Sequence, residues 1–149
     1  MRYFEDFAAG DTFEFGNYLV TEEEILGFAR KFDPQSIHLD WEAAKTSIFG
    51  GLIASGLHTL SILMRMTVDG LLNETAGLGS PGIDEARWLL PVRPGDVLSA
   101  RFTVMDTIPS RSRPERGVLQ SLAEVLNQKG EVVATQKGKV MVARRAKPV

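Results

Sequence analysis

The chain of 149 residues has no cysteine, which excludes disulfides, thiolate catalysis and sulfur-ligated metal sites. Its two histidines, His38 and His58, leave little material for a His-rich metal cage. Charge of one sign is also scarce: 17 Lys and Arg stand against 19 Asp and Glu, a net −2. That balance gives no general electrostatic reason to bind DNA, RNA or an anionic membrane. No apolar run approaches the ~18–20 residues that span a bilayer. The most apolar region, residues 57–72, is broken by Arg65 and Asp69. The start, Met1-Arg2-Tyr3-Phe4-Glu5-Asp6, lacks a signal-peptide core. Glycine-rich nucleotide loops are missing. Ala54-Ser55-Gly56 lacks the glycine two residues before the serine that a nucleophile elbow needs. These absences lead us to expect a cytoplasmic protein with no membrane or nucleic-acid partner.

What is present is ordinary for a globular protein: 44% apolar and 24% charged residues. No repeat or linker divides the chain, so one domain over 1–149 is expected, large enough to bury a core. A strand is expected over 12–20. Thr21 and Glu24 form a capping-box pattern opening a helix that Pro34 should stop at Phe32. Asp40 reads as the N-cap of a short helix over 41–45. A long helix is expected over 57–73, with Leu57, Leu60, Met64, Val68 and Leu71 recurring at three- and four-residue steps. Ile62, Leu63 and Met66 fill its other faces, which predicts a helix surrounded by protein. The second half reads as strands over 87–90, 97–105, 118–126 and 131–142, with a hairpin turn at Asn127-Gln128-Lys129-Gly130. The simplest assembly is an α+β domain in which an antiparallel sheet wraps one central helix.

The informative stretch is Phe32-Asp33-Pro34-Gln35-Ser36-Ile37-His38-Leu39-Asp40. A carboxylate and an imidazole five residues apart, across a Pro turn at a helix end, can face one cavity and share a water in general acid–base chemistry. The plainer alternative is that Asp33 caps a turn and His38 is a satisfied polar residue. Gly56 begins the long helix, where free N–H groups suit a developing negative charge; its plainer role is a tight turn. Ser55 either hydrogen-bonds near the reacting groups or caps the helix. His58 either touches ligand or is a buried, hydrogen-bonded structural histidine. In Ser110-Arg111-Ser112-Arg113-Pro114-Glu115-Arg116, the guanidinium groups of Arg111, Arg113 and Arg116 suit phosphates, unless this is simply a solvated loop.

Taken together, residues 32–40, then Ile48-Phe49-Gly50-Gly51-Leu52-Ile53-Ala54-Ser55-Gly56, Arg87-Trp88, Pro91-Val92-Arg93-Pro94-Gly95-Asp96 and the Ser-Arg-Ser-Arg-Pro loop closely resemble the MaoC-like dehydratases. That family includes the (R)-specific enoyl-CoA hydratases. The resemblance implies a hot-dog fold, with the long helix as sausage and the sheet as bun. It also implies at least a homodimer, with acyl-CoA near the subunit interface. Asp33 and His38 match the family's catalytic pair, and Gly56 its backbone donor to the thioester oxygen. The implied activity is an enoyl-CoA hydratase or 3-hydroxyacyl-CoA dehydratase, needing no cofactor beyond the CoA of its substrate. Acyl-CoA thioesterase and non-catalytic acyl-thioester binding module are the alternatives on the same fold. Two positions depart from the common pattern: Gln35-Ser36 replaces Asn-Pro, and Ser55 replaces a histidine. Both bear on substrate choice and leave the reactive pair intact.

Overall fold

The computed structural model describes residues 1–147. Its elements are β1 (Thr12–Leu19), α1 (Glu22–Phe32), α2 (Ser36–Leu39), α3 (Trp41–Lys45), α4 (Gly56–Gly70), β2 (Ile83–Trp88), β3 (Val97–Pro109), β4 (Arg116–Leu126) and β5 (Val132–Ala143), with 3₁₀ turns at Phe4–Asp6 and Leu72–Glu74. The five strands form one antiparallel sheet in the order β1-β3-β4-β5-β2. Strict alternation along β3 and β4 puts Leu98, Ala100, Phe102, Val104, Leu119, Ala123 and Val125 on the buried face. Against that face lies α4, through Ile62, Leu63 and Met66. One helix laid across a single antiparallel sheet is the hot-dog arrangement.

Local signals set the helix ends. Thr21 caps α1 by accepting from the Glu24 N–H at 3.2 Å. The reciprocal half of the capping box does not form, because the Glu24 carboxylate instead accepts from the Tyr18 hydroxyl at 2.5 Å. Asp33 still donates its N–H to Ala29, and Pro34 then ends the helix. Asp40 caps α3 with bonds from the Glu42 and Ala43 N–H groups. Gly130 closes the β4–β5 hairpin at φ +74°.

The structure corrects the reading of α4 in two respects. The helix stops at Gly70, where the Phe15 ring packs so closely that a β-carbon would lie 2.5 Å from it. Nor does its own chain surround it as expected: Leu57 and Met64 are 55% and 51% exposed, while His58, Thr59, Ile62, Leu63, Met66 and Thr67 face inward. A helix apolar on every side carries no label for the face its own sheet will take. Among the described residues, no helix is long and apolar enough to cross a membrane.

Candidate active site

Asp33 and His38 converge because α1 ends and α2 begins within a few residues. Gln35 donates its N–H to the Asp33 carbonyl at 2.8 Å, and His38 donates its own to the Gln35 carbonyl at 3.0 Å, folding the Pro34 turn tightly. The segment before α4 is threaded beside this turn, with Ile53 N–H donating to Ile37 and Ala54 N–H to Val92. Asp33 Oδ2 then lies 3.3 Å from His38 Nε2. The pair shares one cavity of about 460 Å³ with Ser55, Gly56, Trp88 and Leu90.

Each member of the pair is held from behind. His38 is 4% exposed, and its Nδ1 sits 2.8 Å from the Ile53 carbonyl. A carbonyl only accepts, so Nδ1 carries the proton and donates. In the neutral ring, Nε2 therefore presents a lone pair toward Asp33. Asp33 Oδ2 accepts from the Ser55 hydroxyl at 2.7 Å, and Oδ1 accepts from the Gln35 amide at 2.7 Å. These bonds from Ser55 and Gln35, helped by the nearby His38 and opposed by partial burial, hold the Asp33 carboxyl below its ordinary value. Two acceptors thus lie side by side on the cavity wall, the arrangement that general acid–base chemistry on a bound hydroxyl or water requires.

Gly56 opens α4, whose first N–H groups have no intrahelical acceptor. Ser55 occupies the N-cap position without making a side-chain cap bond, because its hydroxyl serves Asp33. Behind Gly56 stands Trp88, whose Nε1 donates to the Gly56 carbonyl at 2.9 Å. A β-carbon at Gly56 would lie 2.5 Å from that indole. Glycine is thus required by contact with Trp88.

The remaining candidates separate from this centre. His58 is buried, as expected, but its Nδ1 has no hydrogen-bond partner among the described residues. The ring stacks on Phe28 at 4.7 Å and 7°, so aromatic packing replaces the expected hydrogen bond. Burial pushes its pKa down. Arg111, Arg113 and Arg116 lie on and beside the β3–β4 turn, at the end of the sheet away from the Asp33 cavity. A larger cavity of about 640 Å³ lies further along α4, among Met64, Thr67, Phe102 and Val140, and it lacks an acid–base pair. The sequence marks Gln35 only as a departure bearing on substrate choice, and Trp88 and Ile53 only as parts of the resembling motifs; their hydrogen bonds to Asp33, Gly56 and His38 emerge from the fold.

Residues 6–125 match the MaoC like domain family. The chain belongs to that family. This MaoC-like protein is 45% identical to a MaoC-like dehydratase of Rhodospirillum rubrum, whose crystal structure superimposes with a TM-score of 0.91 over 99% of this chain and 100% of that one. It is 32% identical to the uncharacterized protein YdeM of Bacillus subtilis over 94% of this chain and 98% of that protein. It is 29% identical to a 3-hydroxybutyryl-CoA dehydratase of Methylorubrum extorquens, covering 88% and 82% of the two. A further relative, 31% identical over 97% of this chain and 42% of that protein, is a mesaconyl-CoA hydratase of Cereibacter sphaeroides.

Proposed function

We propose that this MaoC-like protein is an enoyl-CoA hydratase, equally a 3-hydroxyacyl-CoA dehydratase, that adds water across a trans-2-enoyl thioester. The observation that carries the reading is the 3.3 Å approach of Asp33 Oδ2 to His38 Nε2, with both groups braced on their far sides. The thioester oxygen accepts from the Gly56 N–H, which polarises the conjugated system and makes C3 electrophilic. The water between Asp33 and His38 attacks C3. An imidazole accepts protons more readily than a carboxylate near neutrality, and Asp33 is held further toward its ionised form. His38 Nε2 therefore takes the proton of the water as the C–O bond forms. Asp33 steadies the resulting imidazolium, and that proton passes to C2, completing the addition.

The only group beyond the side chains is the CoA carried by the substrate, and the cytoplasm is where this reading places the protein. A second copy of the chain covers the exposed Leu57 and Met64, making at least a homodimer. The test is turnover of a panel of trans-2-enoyl-CoA thioesters, followed by loss of the conjugated absorbance, with Asp33→Asn and His38→Ala alongside. Hydration that collapses in both folded variants supports the reading. CoA esters that bind but never turn over would leave a thioester-binding protein in its place.

A further inference from the structure

One wall of the Asp33–His38 cavity carries Phe49, in the segment that leads from α3 toward α4. Within residues 46–51 the hydrogen bonds are short-range. Ser47 N–H donates to the Ala44 carbonyl, Gly50 N–H to the Ser47 carbonyl and Phe49 N–H to Ser47 Oγ. Gly50 turns the chain at φ +67°. Beside Phe49, Ile48 is 95% exposed, and neither side chain belongs to the core cluster. Bonds of this kind shape a turn without fixing where it stands against the rest of the fold.

One bond reaches out. Among the described residues, the only hydrogen bond joining this segment to anything outside α3 is Arg93 Nη2 donating to the Phe49 carbonyl, at 2.6 Å. The guanidinium lies against Gly51, where a β-carbon would stand 3.3 Å from Nη1, so glycine leaves the arm its path. A few residues on, Ala54 N–H donates to the Val92 carbonyl at 2.8 Å, and Ala54 and Val92 both line the cavity. A single tie between two walls leaves a hinge. Two ties fix how far apart they stand.

The arginine is itself braced. Its N–H donates to Asp96 Oδ2 at 2.9 Å, and the Asp96 N–H returns to the Arg93 carbonyl at 3.1 Å, closing the turn through Gly95 at φ +90°. Asp96 Oδ1 accepts from the Gln128 amide at 3.0 Å, and Gln128 Oε1 accepts from the Val97 N–H at 3.1 Å. Gln128 belongs to the turn between β4 and β5. A continuous chain of bonds therefore runs from that hairpin through Asp96 and Arg93 to the wall beside the reactive pair. A guanidinium suits the task, because its donors are held in one plane and its charge strengthens the bond to a carbonyl.

We propose that Arg93 is a positioning residue that determines acyl specificity: by gripping the Phe49 carbonyl it fixes one wall of the Asp33–His38 cavity and holds the site to straight acyl chains against branched ones. The proposal rests on the thioester reading given above for that cavity. A fixed apolar wall rejects a group one carbon too wide, a discrimination worth about 10–200-fold. Arg93 touches no reacting atom, so its loss acts through Phe49.

Calorimetric titration of wild type and Arg93→Ala with butyryl-CoA, 2-methylbutyryl-CoA and free CoA tests the wall without turnover. The preference for the straight thioester is expected to fall about tenfold in the variant, with free CoA bound equally. Weakened binding of free CoA would make Arg93 a phosphate contact, and an unchanged preference would leave it without influence on the wall. Either result overturns the proposal. In turnover, KM for trans-2-butenoyl-CoA should rise while kcat stays within about twofold; a fall in kcat at unchanged KM overturns it as well.

Gln128→Ala lies on the exposed hairpin turn, outside the cavity lining. It should relax the same preference by less, and adding it to Arg93→Ala should change nothing further. Additive losses would put Gln128 on a separate path and overturn the brace. Amide hydrogen exchange at residues 48–51 needs no ligand and is expected to quicken about tenfold in Arg93→Ala, with exchange in β3 and β4 unchanged. If no CoA thioester binds, the thioester reading fails on its own. Exchange then decides whether Arg93 holds the wall: faster exchange sustains the tie, and equal exchange overturns it.

Discussion

The Ser55 hydroxyl donates to Asp33 Oδ2 at 2.7 Å, although Ser55 sits at the N-cap of α4 where a serine ordinarily serves its own helix. It thereby ties the start of α4 to the end of α1, and the ionisation of Asp33 depends on it. In Ser55→Ala the carboxyl titration of Asp33, followed by ¹³C NMR, should move upward from its position below 3.8. Loss of a hydrogen bond to a charged group should also lower turnover roughly tenfold at neutral pH. An unmoved titration would show that Gln35 alone sets the Asp33 charge. The depressed value also contributes stability that is present above pH 3.8 and lost as pH falls through the folded-state value, because the unfolded chain takes the proton first.

In the proposed mechanism Asp33 and His38 act on one water, so their losses should not add. Each of Asp33→Asn and His38→Ala is expected to cost about 10²–10⁴ in kcat. The double variant should be no slower than the worse single one. Multiplying effects in kcat would mean that the two groups work in separate steps.

Gly56→Ala forces a methyl group into the Trp88 indole, 2.5 Å away. Overpacking of this kind costs about 1–3 kcal/mol, and the displaced helix start should depress kcat as well. Adding Trp88→Leu should recover much of the lost Tm. Failure of that second change to restore any stability would place the clash elsewhere.

His58 is buried against Phe28 and kept neutral by burial, opposed in part by the charge of Glu24. The unfolded chain protonates this histidine as pH falls below about 6.5, before the folded chain does. Stability is therefore expected to decline from that point downward through the folded-state value. His58→Leu should flatten the change in denaturant midpoint between about pH 7.5 and pH 5.5. An equal decline in wild type and variant would assign the effect to other groups.

Sequence and structure agree where the decision is local. Thr21, Pro34 and Asp40 set helix ends through bonds within a few residues, and those ends lie at the expected places. β3 runs on to Pro109 and β4 starts at Arg116, since their pairing with each other extends both past the expected ends, while β2 lies at Ile83–Trp88 and not at 87–90, because its pairing with β5 sets its place. The buried face of α4 was not legible, because Leu57 and Met64 are as apolar as Ile62 and Leu63. Asp33, His38 and Gly56 stood out by spacing and resemblance. The bonds from Ser55 and Gln35 to Asp33 depend on how α1 meets α4, which no local pattern encodes. The distance of Arg111 and Arg113 from the cavity follows from strand register, which appears only once the sheet is assembled.

The bond from Trp88 to the Gly56 carbonyl places one of the chain's two indoles at the rim of the reacting cavity, half exposed to water. The other, Trp41, is tied to Glu22 on the outside of α1. Trp41→Phe would therefore leave a protein whose intrinsic fluorescence comes from the cavity rim alone. Occupancy of the site becomes readable as a colour shift in emission, without label or turnover.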